Sequence, residues 1–277
     1  MNASSISHPQ KVCPISVIVI ARNEEKNIQR CLASVMDWVQ EIIVVVNGCT
    51  DATVQKAEEL GARVVEHPWM GYGAQKNFGA GLSAQPWILS LDADEEVSPD
   101  LKLSMQDFFS ANDAVAYDGT NFSRLVYFQR KWIRHGEWYP DYVVRLYRKE
   151  KGHWSGDAVH ERLEITGKIK RVRGHLYHYT YRSFQEQLQT GLKYADLWVQ
   201  EQRVRPVCAL EIFARSLWRF FRGYVLKLGC LDGFLGLYIA LTQGFLTTYR
   251  YARLRERCRR LGAQRAPARC AGCGKEK

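Results

Sequence analysis

Ile15-Ser-Val-Ile-Val-Ile20 is a continuous run rich in β-branched residues, which is typical of a strand buried in a parallel sheet. Ala21-Arg-Asn-Glu-Glu25 ends this run, and apolar residues then recur at helical spacing. Further strand signals follow at residues 41–46, 63–65 and 87–91, with helical signals after residues 51 and 98. Strands that alternate with helices in this way predict an open α/β sheet.

The pattern changes after about residue 112. Short strands are predicted at residues 121–129, 142–148, 159–165 and 176–179, in a stretch with many Trp and Tyr residues. Ser183-Phe-Gln-Glu186 is a capping box that predicts a helix to about residue 202. Two apolar segments that contain arginines follow Pro206.

Charge is distributed unevenly along the 277 residues. The chain has 39 Lys and Arg against 29 Asp and Glu, a net charge of +10. Residues 203–277 hold 16 basic and 4 acidic residues, a balance of +12, which leaves −2 for residues 1–202. A near-neutral body argues against nucleic-acid binding, because such proteins carry a basic face or groove there. No nucleic-acid partner is expected.

The cysteines and the N-terminus suggest a reducing compartment. The eight cysteines are scattered, and residues 1–12 show no apolar signal-peptide core, so a cytosolic location without disulfides is expected. Cys270-Ala-Gly-Cys273 is a lone CxxC pair without the two further ligands that a structural zinc site needs.

Polar clusters follow three of the predicted strands: Arg22-Asn23-Glu24, Asn47-Gly48 and Asp92-Ala93-Asp94. Open α/β sheets bind ligands at the carboxyl ends of their strands, so these clusters mark the candidate site. The glycine patterns of dinucleotide-binding and P-loop proteins are both missing. Asp92 and Asp94 can share a hard cation, and Mg²⁺ typically uses one or two carboxylates plus substrate phosphates.

These motifs carry a resemblance. The stretch from Pro14 to Glu25, then Asn47-Gly-Cys-Thr-Asp51, then Asp92-Ala-Asp94 resembles the family 2 glycosyltransferases of the GT-A fold. Further stretches are similar to the branch that contains the lipopolysaccharide inner-core β-1,4-glucosyltransferases, namely residues 73–78, 92–96, 138–141, 145–148, 159–161 and 178–183. The resemblance covers about residues 14–250. It implies an α/β, Rossmann-like mixed sheet with helices on both faces. The apolar, arginine-containing segments after Pro206 add C-terminal amphipathic, interfacial helices to this predicted fold.

The resemblance also implies a nucleotide-diphosphate sugar donor and a divalent metal, Mg²⁺ or Mn²⁺. The donor-binding candidates are Ala21, Arg22, Asn23, Glu24, Asn47, Lys76 and Asp92. The metal candidates are Asp94 and Asp92, and His160 or His178 could complete the shell. Many family members have a carboxylate at the position of Val46 or Asn47 that contacts the base; this chain has none, although UDP-glucose remains the favoured donor. For Lys76 a solvated surface lysine is the plain alternative.

Transfer with inversion needs one general base to take the proton of the acceptor hydroxyl. Asp141, within Tyr139-Pro-Asp-Tyr-Val-Val-Arg-Leu-Tyr147, is the first candidate because it is similar to an acceptor-loop Asp of related transferases. Glu161 is the second. Turn capping after Pro140 and a salt bridge to an arginine are the plain alternatives for the two residues.

Residues 233–249 carry no charge but are short for a spanning helix and are interrupted by glycines. Basic residues lie on both sides, which suits helices that lie on an anionic membrane surface. A helical pair packed on the catalytic domain is the alternative. The predicted organisation is a flexible N-terminus (1–13), a catalytic domain (14–202), membrane-associating helices (203–255) and a basic, disordered tail (256–277). Residues 14–112 form the nucleotide-sugar half of that domain and 113–202 the acceptor half.

The sequence therefore predicts an inverting, metal-dependent glycosyltransferase at the cytoplasmic face of a bacterial inner membrane. It would move a hexose, with glucose favoured, to a lipid-linked saccharide acceptor such as the lipopolysaccharide inner core. Another cell-envelope or polyprenyl-phosphate-linked acceptor is the alternative within the class. A sugar-nucleotide-binding membrane scaffold without activity is the alternative outside it.

Overall fold

The structure, a computed structural model, describes residues 12–155 and 161–265. The predictions for His160, for Cys270 and Cys273 and for the end of the chain beyond residue 265 lie outside these residues. The chain divides into two compact units, one from residues 1–127 and 140–180 and one from residues 128–139 and 181–277. We call them unit 1 and unit 2.

The first hundred residues alternate strands and helices as the apolar patterns predict. In chain order the elements are β1 Cys13–Ala21, α1 Ile28–Ala33, β2 Val39–Val46, α2 Thr53–Glu59, β3 Arg63–Glu66, α3 Tyr72–Leu82, β4 Trp87–Asp92, β5 Glu95–Val97 and α4 Pro99–Ser110. Helix α1 ends at Ala33 rather than near Val39, since Val39 already begins β2. Helix α3 and strand β5 were not predicted.

Short strands dominate the next segment, and helices dominate the rest. The elements are α5 Asp113–Ala116, β6 Gly119–Phe128, β7 Lys131–Trp132, β8 Asp141–Arg148, β9 Gly152–Ser155, β10 Arg162–Ile165, β11 Ile169–His178, α6 Phe184–Glu201, α7 Ala209–Phe221 and α8 Phe234–Arg265. Strands β9 and β10 form a separate antiparallel pair. Strand β11 begins seven residues before the predicted strand at residues 176–179.

The main sheet is mixed, in the order β3-β2-β1-β4-β8-β6-β11-β5. The first four strands are mutually parallel, β8 is antiparallel to β4 and β6, and β5 is antiparallel to β11. Apolar side chains cover both faces. One face of the sheet packs with Ile28 and Leu32 of α1 and Leu101 of α4, and the other packs with Phe78 of α3. The predicted α/β, GT-A-like mixed sheet with helices on both faces is confirmed.

The strand registers align the three polar clusters. Ala21 pairs with Val46, and Ile20 pairs with Asp92, so β1, β2 and β4 end at the same edge. The clusters that follow these strands therefore start from neighbouring positions, as the parallel arrangement predicts.

Two predicted serine caps and one predicted glycine lie at helix ends, as expected. The Oγ of Ser98 accepts a hydrogen bond from the Leu101 N–H at 3.2 Å, at the start of α4. The Oγ of Ser183 accepts one from the Glu186 N–H at 3.0 Å, at the start of α6. Gly61 follows α2 at a φ of +76°, where glycine avoids the strain that a Cβ would bring.

Unit 2 is mainly helical and holds an aromatic cluster. Phe128 contacts the rings of Trp138, Tyr181, Phe184 and Tyr238 with centroids 5.2–6.2 Å apart. Helix α6, which the sequence analysis placed in the catalytic domain, clusters with α7 and α8 in this unit. In the described parts of the chain, no helix has the length and apolar character needed to cross a membrane.

Candidate active site

The loops after β1 and β2 are tied together by polar side chains. Asn23 adopts a left-handed φ of 57°, and its Oδ1 accepts a hydrogen bond from the Thr50 N–H at 2.8 Å. The N–H of Glu24 donates to the Thr53 Oγ1 at 2.7 Å. An Asn tolerates this backbone region better than most residues. The structure thus brings two of the predicted donor-binding residues to the sheet edge in a fixed loop.

The other donor-binding candidates of this edge differ in exposure. Ala21 is buried and Arg22 is exposed. The Nδ2 of Asn47 donates to the carbonyl of His67 at 3.2 Å, and the Gly48 N–H donates to Glu66 Oε1 at 2.7 Å. The side-chain amide of Asn47 therefore supports the neighbouring loop.

Lys76 is a buried lysine and not a surface one. It lies on α3 with only 2% of its side chain exposed, and its Nζ is 3.0 Å from Asp92 Oδ1 and 3.4 Å from Glu161 Oε1. The ammonium also lies 4.3 Å from the ring centroid of Trp154, a cation–π contact. Asn77 holds this arrangement by exchanging two hydrogen bonds with the backbone of Trp154. Three sequence-predicted residues, Lys76, Asp92 and Glu161, thus meet at one point.

Arg145 approaches Asp92 from strand β8, which lies next to β4. Its Nη2 is 2.6 Å from Asp92 Oδ2 and 2.7 Å from Glu95 Oε1. The side chain of Glu95 is fully buried, and its other oxygen accepts the Asp92 N–H at 2.9 Å. Burial alone would lower the pKa of Arg145, but Asp92 and Glu95 outweigh it and raise that pKa.

Asp141 is held by a second arginine. Arg124 and Asp141 are register partners on β6 and β8, and Arg124 donates to Asp141 Oδ2 from Nε at 2.9 Å and from Nη2 at 2.7 Å. The Nη1 of Arg124 is 3.6 Å from Glu95 Oε1. Burial lowers the pKa of Arg124, whereas Glu95 and Asp141 raise it above its ordinary value. The acid proposed as general base is therefore fixed in orientation.

These contacts join into one chain of alternating charges, which we call the ion-pair chain. It runs Glu161, Lys76, Asp92, Arg145, Glu95, Arg124, Asp141. Asp92 is its third member, between Lys76 and Arg145. Burial would raise the pKa of Asp92, but Arg145 and then Lys76 hold it well below the usual range, so the carboxylate stays charged.

Three members of the ion-pair chain, Glu95, Arg124 and Arg145, were not chosen from the sequence. Glu95 and Arg145 lie within stretches that carry the resemblance, but nothing in the sequence shows that they touch. Their pairing depends on the neighbouring strands β4, β8 and β6, whose order cannot be read from local patterns. The sequence does not show that these charges are buried, and charged side chains are more often exposed.

Asp94 has a different environment from Asp92. Its Oδ2 is 3.4 Å from Nε2 of His178, because β5 and β11 pair Glu95 with His178. The buried Nδ1 of His178 has no hydrogen-bond partner among the residues that the structure describes. Of the two histidines considered as metal ligands, His178 therefore lies beside Asp94, while His160 is outside the described residues.

Asp94 and His178 offer one carboxylate and one imidazole to a divalent ion. Among residues 12–155 and 161–265, no three His, Cys, Asp or Glu side chains converge in a metal-holding arrangement. Mg²⁺ at a diphosphate site, however, often takes only one or two protein carboxylates. Asp94 with His178 fits that smaller requirement. Asp92 fits it less well, because both of its oxygens face cations.

Comparison with known proteins decides the family. The model of glycosyl transferase family 2 matches residues 16–172, more than half of the chain. The chain belongs to glycosyltransferase family 2. The resemblance seen in the sequence is thereby confirmed, and the ion-pair chain lies within the matched region at all seven of its residues.

Two curated relatives show similarity over most of the chain. A glycosyltransferase of unassigned role from Rickettsia felis is 31% identical over 87% of this chain and 89% of its own length. The lipopolysaccharide core biosynthesis glycosyltransferase LpsC of Rhizobium meliloti is 30% identical over 84% of this chain and 90% of its own length.

Solved structures show a more distant likeness. TarS of S. aureus in complex with UDP-GlcNAc is 14% identical, with a TM-score of 0.45 over 89% of this chain and 91% of that chain. Glucosyl-3-phosphoglycerate synthase of Mycobacterium tuberculosis, in complex with Mn²⁺, UDP and glucosyl-3-phosphoglycerate, is 18% identical, with a TM-score of 0.40 over 66% of this chain and 78% of that chain.

Proposed function

We propose that this glycosyltransferase moves a hexose, glucose in the first instance, from a nucleotide-diphosphate sugar to a lipid-linked glycan acceptor, with inversion. UDP-glucose is the proposed donor and the lipopolysaccharide inner core the proposed acceptor. The observation that carries the proposal is Asp92, held at the sheet edge between Lys76 and Arg145 and followed by Asp94. The similarity to LpsC, named for lipopolysaccharide core biosynthesis, supports the choice of acceptor.

The residues of the sheet edge are proposed to bind and orient the donor. The loop of Asn23 and Glu24 lies where a base and ribose would dock in an open α/β sheet. Lys76 places a positive charge beside Asp92, near the position proposed for the diphosphate. A divalent ion held by Asp94 and His178 would neutralise negative charge on the departing diphosphate.

The chemical step needs one base and no covalent enzyme intermediate. The acceptor oxygen forms a bond to the anomeric carbon, and the bond from that carbon to the diphosphate oxygen breaks. The hydroxyl proton passes to a carboxylate, and the nucleoside diphosphate leaves with the bonding electron pair. Asp141 is the proposed base because Arg124 fixes its carboxylate, which is 40% exposed and therefore open to an acceptor.

Glu161 remains the rival base. It lies 3.4 Å from Lys76 Nζ, and that ammonium also contacts Asp92. Through Lys76, the carboxylate of Glu161 is coupled electrostatically to Asp92 and so to the charge of a bound donor. The turnover of the two single variants, Asp141→Asn and Glu161→Gln, separates the candidates.

The test is a transfer assay on the purified full chain. Wild type is incubated with Mg²⁺ or Mn²⁺, a panel of nucleotide sugars and lipopolysaccharide-precursor acceptors. Transfer from UDP-glucose to a core precursor, lost on chelation, is the expected result. Transfer to a polyprenyl-phosphate acceptor alone would contradict the acceptor. Nucleotide-sugar binding without hydrolysis or transfer with any acceptor would contradict the enzymatic function.

A further inference from the structure

One side of helix α7 is apolar and exposed. We define the α7 apolar face as Leu210, Phe213, Leu217, Trp218 and Phe221, which are between 41% and 74% exposed. Successive members are three, four, one and three residues apart, which places them along a single stripe of the helix. None of the residues of α7 is buried. Among the described residues, the most apolar side of this helix is therefore left largely exposed.

The side of α7 that carries Ser216 and Phe220 packs against α8. Thr248 Oγ1 donates to Ser216 Oγ at 2.8 Å. Gly244 lies so close to α7 that an added Cβ would be 3.3 Å from the Ser216 carbonyl and 3.6 Å from Phe220 Cβ. An ordinary amphipathic surface helix turns its apolar side toward the protein. Helix α7 instead packs through the side of Ser216 and leaves Phe213 and Leu217 exposed.

Exposed apolar side chains are concentrated in this part of unit 2. Among the described residues, twelve of the 23 large exposed apolar side chains fall between residues 210 and 245. The turn after α7 continues the series with Leu226, Leu228 and Leu231, and α8 adds Phe234 at its start. Monomeric soluble proteins seldom expose apolar surface at this density unless it binds a partner or a membrane.

Positive charge lies in the same segment. Arg219, Arg222 and Lys227 share a single carboxylate, Glu137, at 2.9, 2.7 and 3.9 Å. Glu137 is only 3% exposed, while each of the three cations is about one-third exposed or more. One carboxylate neutralises only one of these three cations, so this cluster carries a surplus of two positive charges.

We propose that α7 is a membrane-binding helix, which lies in the interface plane of an anionic bilayer with its apolar face among the lipid chains. The surplus charge of Arg219, Arg222 and Lys227 pairs with lipid phosphates. The exposed indole of Trp218 suits the boundary between headgroups and chains, since it is apolar with one polar N–H. The proposal concerns where unit 2 binds, such as the cytoplasmic face of a bacterial inner membrane, and does not depend on the donor or acceptor.

Vesicle sedimentation of the full chain tests the proposal. Vesicles of phosphatidylcholine with phosphatidylglycerol are compared with phosphatidylcholine alone, using wild type and the double variant Phe213→Gln, Leu217→Gln. The variant is expected to bind anionic vesicles at least ~10-fold more weakly, because two apolar side chains no longer leave water. The matched control is Leu103→Gln, Val115→Gln, which changes two exposed apolar residues of helices in unit 1 and keeps wild-type binding.

A second readout shows whether α7 itself enters the bilayer. Lipids brominated on their chains are expected to quench wild-type tryptophan fluorescence and to quench Trp218→Phe measurably less, although this variant still sediments with vesicles. Unchanged vesicle binding by the double variant overturns the proposal. So does equal binding to neutral and anionic vesicles. Self-association that the double variant abolishes, without any vesicle binding by wild type, assigns the face to a second copy and also overturns it.

Discussion

Arg145 Nη2 lies 2.6 Å from Asp92 Oδ2, so a buried cation holds the first carboxylate of the Asp92–Asp94 pair. The second carboxylate, of Asp94, contacts only the imidazole of His178 among the ion pairs of the described residues. We propose separate tasks for the two acids: Asp92 would organise the cations of the donor site, and Asp94 would hold the metal.

Removal of Arg145 should destabilise the fold strongly. In Arg145→Gln the carboxylates of Asp92 and Glu95 lose their shared cation, and Glu95 is fully buried. Loss of one partner of a buried pair typically costs about 3–5 kcal/mol. Urea unfolding followed by circular dichroism measures the free energy of unfolding. The control Lys102→Gln removes a partly exposed pair with Asp37 and should cost about 1 kcal/mol or less. Equal losses of unfolding free energy in the two variants would contradict a larger contribution from the buried pair.

Acid should weaken the fold partly through Asp92. Because Arg145 and Lys76 hold its pKa low against the effect of burial, the folded state binds fewer protons at this site than the unfolded state. The stabilisation is therefore complete above the unfolded pKa of about 4 and is lost as pH falls below it. Asp92→Asn removes this contribution, so its unfolding free energy should fall less steeply than that of wild type between about pH 5 and pH 3. Urea unfolding at each pH measures this free energy. If it fell equally steeply in wild type and variant, Asp92 would not be a source of the acid sensitivity.

The two candidate bases should separate by turnover. Asp141→Asn keeps the shape of the side chain but cannot take the acceptor proton, so kcat should fall by about 10²–10⁴. Glu161→Gln keeps a hydrogen-bond acceptor near Lys76 and should act mainly on the KM for the donor. Steady-state kinetics with varied donor and acceptor measures both constants. Wild-type turnover in Asp141→Asn, with loss in Glu161→Gln, would reverse the assignment.

Ser98 should contribute to stability as a helix cap. Its Oγ accepts hydrogen bonds from the N–H groups of Leu101 and His175, at 3.2 and 3.1 Å. Ser98→Ala removes both and should cost about 1–2 kcal/mol. The control is Ser110→Ala at the exposed end of the same helix, where the hydroxyl donates to the Gln106 carbonyl. That change should stay within about 0.5 kcal/mol, and a Ser98→Ala effect as small would refute the cap.

The sequence predicted the parallel half of the sheet well because its signals are local. The apolar runs of β1, β2 and β4 are buried on both faces, and such strands read as continuous runs. Helix α3 was missed since three glycines interrupt its apolar pattern, and Gly79 is needed there because a Cβ would come within 2.5 Å of Ile18. Strand β5 was missed because it has only three residues.

Only part of the ion-pair chain was named from the sequence, and none of its pairings was. Asp92, Lys76 and Glu161 were chosen separately, and only the fold shows that the lysine lies between the two acids. Arg145 and Arg124 were not chosen at all. Their partners lie 53 and 17 residues away along the chain, and contacts of this kind depend on strand order, which local patterns do not determine.

The central claim is that the edge around Asp92 and Asp94 binds a nucleotide diphosphate together with a divalent ion. Isothermal titration calorimetry of the full chain with UDP, in Mn²⁺ or in chelator, tests it most directly. We predict binding in Mn²⁺ that chelation or Asp94→Asn weakens at least ~10-fold, since each removes charge neutralisation at the diphosphate. The control Lys149→Met, whose ammonium bonds the Ser83 carbonyl, should bind like wild type. Equal affinity for UDP with and without Mn²⁺, and in Asp94→Asn, would contradict the account.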